Sequence, residues 1–128
     1  MTQSQLLVSL TGWTVLALGA LQVTMPWIVR DRRIFRNHYG IGFMIVVLSF
    51  LHASVAVSTI GIAGGLASLG IAIATLGMFG AAGQVSLGMR LRAARAPRTR
   101  LRRFHLVGAA VLAGAAVAHL ALNSSLFR

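Results

Sequence analysis

The sequence predicts an all-α membrane protein, a single four-helix up-down bundle over residues 1–128. Of its 128 residues, 57% are apolar and 10% are charged, whereas soluble domains contain about 45–50% apolar and about 25% charged residues. The chain also has four apolar segments of roughly 20 residues, each long enough to cross a hydrocarbon core of about 30 Å as a helix. The connections between them are short, so consecutive helices should be antiparallel neighbours.

The four predicted helices span residues 6–29, 38–58, 66–89 and 104–122. The first is expected to be a membrane helix and not a cleaved signal peptide, because its arginines follow the apolar stretch instead of preceding it. The second and fourth contain all the histidines of the chain. Glycine and alanine are frequent throughout, which is typical of helices that approach each other closely inside a membrane.

Most of the positive charge lies in two connections, and Arg128 in the carboxyl tail is the exception. All twelve basic residues are arginines, and the only acid is Asp31. By the positive-inside rule, the first and third connections are expected to be cytoplasmic and both termini outside, in a bacterial inner (cytoplasmic) membrane. Because these charges occupy two short turns at one membrane face, nucleic acid is not an expected partner. Eleven arginines lie in these connections: Arg30, Arg32, Arg33, Arg36, Arg90, Arg92, Arg95, Arg98, Arg100, Arg102 and Arg103.

The composition excludes several kinds of chemistry. The absence of cysteine excludes disulfides, thiolate metal sites, iron–sulfur clusters and covalent attachment of a c-type haem. A single acid excludes paired-carboxylate catalysis and most calcium or magnesium sites. Histidine is therefore the residue type on which a functional prediction depends.

The four histidines form two pairs with the same spacing. His38 and His52 lie on the second helix, and His105 and His119 on the fourth. The spacing is about four helical turns, so each pair shares one helix face and is separated by roughly 21 Å along the axis. The second and fourth helices run in the same direction and lie diagonally across an up-down bundle. His38 is therefore expected level with His105 (the arginine-end pair), and His52 level with His119 (the termini-end pair).

Two opposed histidines at one level can supply both axial ligands of a haem iron. A single histidine inside a membrane often packs as a polar residue bonded across helices, although ionisable groups there are already biased toward function. Here the whole histidine complement falls into two level-matched pairs. This pattern favours ligands over packing, and a bare zinc site would need further ligands that the sequence does not offer.

The spacings His38-x13-His52 and His105-x13-His119 resemble those of membrane di-haem b-type cytochromes. The most similar pattern is the amino-terminal four-helix core of cytochrome b in the quinol–cytochrome c oxidoreductases. The resemblance implies two haem b groups between helices two and four, with the axial pairs His38/His105 and His52/His119, that carry electrons across the membrane. It implies an electron-transfer protein or oxidoreductase subunit that works with lipid, a redox partner protein or a quinone.

Two other functions are alternatives to electron transfer by a chain that works alone. The chain could be a haem-bearing anchor subunit of a larger respiratory complex, which differs only in whether it works alone. It could also be a small non-haem transporter, but such proteins usually place an ionisable coupling group inside the membrane. The one acid here is in a connection, and the histidines fit ligands better.

Small residues near the histidines are expected to leave slots for a flat porphyrin. General helix packing also favours glycine and alanine, so that alternative stays open. On the third helix, one glycine is expected near each pair, Gly70 at the termini end and Gly83 at the arginine end. The slot candidates on helices two and four are Gly42, Gly108 and Ala115.

Arginines beside the arginine-end pair are expected to bind haem propionates, because guanidinium groups pair with carboxylates through two hydrogen bonds. Arg36 and Arg103 are the first candidates, although positive-inside topology alone also explains arginines at this face. A quinone at the same end would have Gln22, Gln84 or Tyr39 as polar partners.

Overall fold

The computed structural model describes residues 2–28, 37–61, 68–93 and 99–123. Those residues form four α-helices: α1 (Gln3–Ile28), α2 (Asn37–Ile60), α3 (Leu69–Ala93) and α4 (Thr99–Asn123). The predicted all-α class is confirmed, and every helix is long and apolar enough to span a membrane. Helices α3 and α4 extend further than predicted at the arginine-rich end, since arginine and leucine are good helix formers.

Local sequence explains how several helices begin and end. At the start of α1, the Gln5 main-chain N–H donates to Thr2 Oγ1 at 3.3 Å, and the Thr2 N–H donates to Gln5 Oε1 at 2.9 Å. This reciprocal pair is a capping box. Helix α2 ends just before Gly61, whose φ of 80° lies in the left-handed region that glycine adopts without steric cost.

Helices α1, α2 and α3 follow one another as antiparallel neighbours. Gln22 contacts His38 while Thr11 contacts His52, so α1 and α2 run in opposite directions. Helix α3 packs on α2, and the Phe50 ring stands edge-on to a phenylalanine of α3 at 6.4 Å between ring centres. Helix α1 has only slight contact with α4. The α1–α2 pair and the α3–α4 pair are therefore held together mainly by the contact between α2 and α3.

Helix α4 completes the up-down order. The main-chain oxygen of Gly70, at the start of α3, lies 2.8 Å from His119 near the end of α4. Near the opposite end of α3, the position of a Cβ on Gly88 would be 3.6 Å from the His105 ring. Helices α3 and α4 are therefore antiparallel, and α2 and α4 run in the same direction on opposite sides of the interior, as predicted.

The outer surface of the bundle is apolar. Large side chains such as Trp13 and Leu76 are 64% and 74% exposed, which would be unfavourable in water but is the expected state of residues that face lipid. Helix association in lipid depends on close packing of small residues, because lipid tails are as apolar as the side chains. Gly80 illustrates this: a Cβ there would lie 2.8 Å from Leu112 of α4. The four helices fit an integral membrane protein.

Candidate functional site

The structure brings the four histidines together in the two predicted pairs. The ring centres of His38 and His105 are 6.2 Å apart, and those of His52 and His119 are also 6.2 Å apart. Each pair joins α2 to α4 across the interior. The pairs are separated along the bundle by about four helical turns, or roughly 21 Å.

The separation within each pair suits a metal ion shared by two imidazoles. With metal–nitrogen distances of about 2 Å, two opposed imidazoles have ring centres about 6 Å apart. The ring planes are inclined at 68° in the arginine-end pair and 89° in the termini-end pair. A shared ion restricts the separation of the rings but not their rotation about the line that joins them. The pair geometry is therefore compatible with two axial ligands.

In the termini-end pair, the hydrogen bonds of His52 engage its Nδ1. This atom lies 3.1 Å from Thr11 Oγ1, and the same hydroxyl lies 2.7 Å from the Leu7 carbonyl oxygen. The carbonyl can only accept, so a hydroxyl proton directed to Leu7, the shorter of these two contacts, makes Nδ1 of His52 the donor to Oγ1. The proton of the neutral ring is then on Nδ1, which leaves Nε2 with a lone pair.

His119 has the same arrangement with a different acceptor. Its Nδ1 lies 2.8 Å from the Gly70 main-chain oxygen, which can only accept, so this Nδ1 also carries the proton. The Asn123 amide nitrogen donates to the His119 main-chain oxygen at 3.0 Å. It also lies 2.8 Å from Nδ1, which is a close contact and not a hydrogen bond in this tautomer. Both rings of the termini-end pair thus carry an unprotonated Nε2 with a lone pair.

The arginine-end pair differs in the atom that its neighbour engages. The Gln22 amide Nε2 lies 3.1 Å from His38 Nε2 and donates to it. His105 Nδ1 is buried without a hydrogen-bond partner among the described residues, and so are Gln22 Oε1 and Gln84 Oε1. Buried polar atoms without partners are uncommon and require an explanation. A ligand between these helices would supply one.

Glycines lie against the histidine rings on the two helices that carry no histidine. A Cβ on Gly12 of α1 would be 3.0 Å from His52 Cε1, and one on Gly88 of α3 would be 3.6 Å from His105 Cε1. Gly70 lies beside the termini-end pair, as expected. Gly83, expected beside the arginine-end pair, is exposed with nothing within 4 Å of its Cβ position. Gly88 occupies that place because five residues rotate the helix face by about 140°.

The slot candidates on α2 and α4 face neighbouring side chains. A Cβ on Gly42 would lie 3.3 Å from Gln22 Nε2, and one on Gly108 would collide with the Gln84 amide. Ala115 is half-buried. Both glycines therefore give room to a glutamine in this structure, at the level just inside the arginine-end pair.

Arg92 lies over Tyr39, whose ring is 6.0 Å from the ring of His38 in the arginine-end pair. Its guanidinium carbon lies 5.4 Å from the centre of the Tyr39 ring, a cation–π distance. Arg103 is exposed on α4, and Arg36 lies outside the described residues. A groove of about 460 Å³ opens here between α2 and α3, lined by Tyr39, Phe43, Val85, Met89, Arg92 and Ala93.

Sequence reasoning counted Gly12 among several glycines of the first and third helices without placing it at a histidine, and it missed the roles of Thr11, Gly88 and Arg92. The signal for Thr11 and Gly12 was present, because residues of an antiparallel helix pair that are equally far from the connection lie at the same level. Counted from the helix ends at Ile28 and Asn37, His52 lies 15 residues from the first connection, and Gly12 and Thr11 lie 16 and 17 residues from it. The level, but not the side of the helix, could have been read from this symmetry.

Comparisons with protein-family models, curated proteins and solved structures find no match to this chain. Within the described ranges, no three histidine, cysteine or acidic side chains gather as a metal-binding group. The observations that bear on function are therefore those of the two histidine pairs and their surroundings.

Proposed function

We propose that this protein transfers electrons across a membrane through two bis-histidine b haems. His38 and His105 would hold one iron, and His52 and His119 the other. The observation that carries the proposal is the repetition of one geometry, a 6.2 Å ring separation in both pairs. Chance packing of four histidines does not require two equal separations at two levels.

The surroundings of the pairs support a flat cofactor over a bare metal ion. An iron in a porphyrin needs only two axial ligands from the protein, and each pair supplies two. Gly12 and Gly88 lie where a larger side chain would press on a ligand ring. The partnerless polar atoms at the arginine-end pair mark an interior that is incompletely satisfied by the protein alone.

The residues of the chain define what such haems can do. A b haem with two histidine ligands supplies a one-electron redox couple. With two imidazoles bound to each iron, these residues would keep oxygen and other small ligands from it. Thr11 and the Gly70 carbonyl orient two of the four ligands. Arg92 and Arg103 would offer positive charge to propionates at the arginine end.

The proposed orientation of the chain in the membrane is based on the distribution of its arginines. The arginine end is proposed to face the cytoplasm, with both termini outside and the protein in a bacterial inner membrane. The two pairs would then lie near opposite faces, since roughly 21 Å is most of a hydrocarbon core of about 30 Å. A quinone or a redox protein would exchange electrons at one face and a second partner at the other.

The test is a reduced-minus-oxidised optical spectrum of the purified chain, with pyridine haemochrome quantification per polypeptide. We expect close to two b haems per chain. The matched control is the double variant His105→Ala/His119→Ala, which removes one ligand from each pair and should contain no bis-histidine haem. Absence of haem from the folded wild-type chain would contradict the proposal.

Electron transfer across the bilayer needs a second measurement. The chain is reconstituted into vesicles that enclose ferricyanide, and an impermeant reductant is added outside. We expect the enclosed ferricyanide to be reduced only when the vesicles contain the haem-loaded wild-type chain. Haem binding without reduction of the enclosed acceptor would leave a haem protein and overturn the transmembrane function.

A further inference from the structure

We infer that Thr11 and the Gly70 main-chain oxygen are positioning groups that hold His52 and His119 with the proton on Nδ1 and Nε2 ready to bind iron. This inference rests on the proposed function. It assigns a role to α1 and α3, which contribute no histidine. It also makes the termini-end pair the better prepared of the two.

Thr11 faces His52 from α1 as a hydrogen-bond partner of its Nδ1. Its hydroxyl is half-buried and lies 2.7 Å from the Leu7 carbonyl oxygen, 3.1 Å from the Val8 carbonyl oxygen and 3.1 Å from His52 Nδ1. The contact to Leu7 is the shortest, so we assign the hydroxyl proton to it, and the hydroxyl then accepts from His52. The ring edge that carries Nδ1 and Cε1 faces α1, because the position of a Cβ on Gly12 is 3.4 Å from Nδ1 and 3.8 Å from Nε2. The Nε2 atom is the ring nitrogen farther from that position.

The Gly70 carbonyl of α3 accepts a hydrogen bond from His119 Nδ1. A main-chain oxygen cannot donate, so the 2.8 Å contact fixes the Nδ1–H tautomer without dependence on any rotatable proton. Gly70 is buried, and a Cβ there would lie 2.7 Å from the Asn123 amide oxygen. The absence of a side chain allows α4 to approach closely enough for this bond.

Hydrogen bonds of this kind matter to metal binding in a known way. Histidines that bind metals commonly donate their other N–H to a carbonyl or a similar acceptor, which fixes the ring orientation and raises ligand basicity. Loss of such a partner typically costs about 10–100-fold in metal affinity. Thr11 is the one of the two acceptors that substitution can remove, because Gly70 contributes its main chain.

The experiment uses the full chain in lipid nanodiscs with ¹⁵N-labelled histidine, first without haem and then titrated with haem. Long-range ¹H–¹⁵N spectra distinguish a ring protonated at Nδ1 from one protonated at Nε2. The test variant is Thr11→Val, which keeps the shape and removes the acceptor, and Thr11→Ser restores it. The control is Thr14→Val, because the Thr14 hydroxyl is exposed and donates only to its own helix, to the Leu10 carbonyl at 2.7 Å.

We expect wild type, Thr11→Ser and Thr14→Val to show the Nδ1–H form at His52 without haem. Thr11→Val should show a mixture of tautomers, bind one of two haems about tenfold more weakly, and raise the reduction potential of that haem. Unchanged tautomer and affinity in Thr11→Val would overturn the inference, as would an Nε2–H ring in a wild-type chain that takes two haems. A wild-type chain with the Nδ1–H form but no haem uptake would overturn the proposed function and leave the tautomer assignment standing.

Discussion

The arginine-end pair and the termini-end pair have the same ring separation, but His38 is engaged at the opposite ring nitrogen from His52 and His119. At the termini end, Thr11 and the Gly70 carbonyl engage Nδ1 of the two rings. At the arginine end, Gln22 engages Nε2 of His38, the nitrogen that an iron would need. The comparison shows that α2 and α4 set the distance between the histidine rings, whereas groups of α1 and α3 engage one ring nitrogen of His38, His52 and His119.

The largest effect is expected when one histidine of a single pair is removed. His38→Ala should abolish the haem of the arginine-end pair and largely spare the other, because the two irons share no ligand. His52→Ala is the matched variant for the termini-end pair. Haem per polypeptide, measured by pyridine haemochrome, should fall to about half of the wild-type value in each single variant.

A ligand exchange provides the control against misfolding. His38→Met keeps an axial ligand and should retain haem while raising its reduction potential, because methionine–histidine ligation favours the reduced iron. Redox titration of both variants follows the two haems separately. Equal loss of both haems from every single-histidine variant, in a bundle that remains folded, would show that the pairs are not independent.

The positions of the histidines could be predicted from the sequence because a helix has a fixed period. One helix places residues four turns apart on one face, and the up-down order places His38 level with His105. The acceptors of Nδ1 could not be predicted, because they depend on how α1 and α3 are rotated against their neighbours. Side-chain packing sets that rotation. Gly83 and Gly88 show the consequence, since the level was nearly right and the face was wrong.

A smaller effect is expected when the hydrogen bond from Gln22 to His38 Nε2, the main difference between the two pairs, is removed. Gln22→Leu deletes the amide that donates to His38 Nε2 and also removes the buried Oε1 that has no hydrogen-bond partner among the described residues. A hydrogen bond of this kind is worth about 1 kcal/mol, so haem should bind the arginine-end pair about fivefold more tightly. Haem titration followed by the optical spectrum measures this change.

Gln84→Leu is the matched control for Gln22→Leu. Both are interior glutamines with a buried amide oxygen, but Gln84 lies against Gly108 and not against a ligand nitrogen. Its substitution should alter haem affinity much less. If both variants tighten binding equally, the general loss of buried polarity, and not competition for His38 Nε2, is responsible.

The smallest expected effect concerns the space beside the termini-end pair. A Cβ on Gly12 would lie 3.0 Å from His52 Cε1, so Gly12→Ala must move the ring by a few tenths of an ångström. Overpacking a well-packed interior typically costs about 1–3 kcal/mol, but a single methyl group against a ring that can shift should cost less, so haem affinity at this pair should fall only about twofold.

Gly19→Ala is the control on the same helix, because nothing lies within 4 Å of that Cβ position. Thr11 and Gly12 are neighbours on α1, so a ring pushed away from Gly12 lengthens its bond to Thr11, and Gly12→Ala should also shift the His52 tautomer toward the mixture expected for Thr11→Val. A weaker affinity with an unchanged tautomer would mean that the methyl group obstructs the porphyrin itself, and the glycine would then belong to the slot and not to the ligand's support.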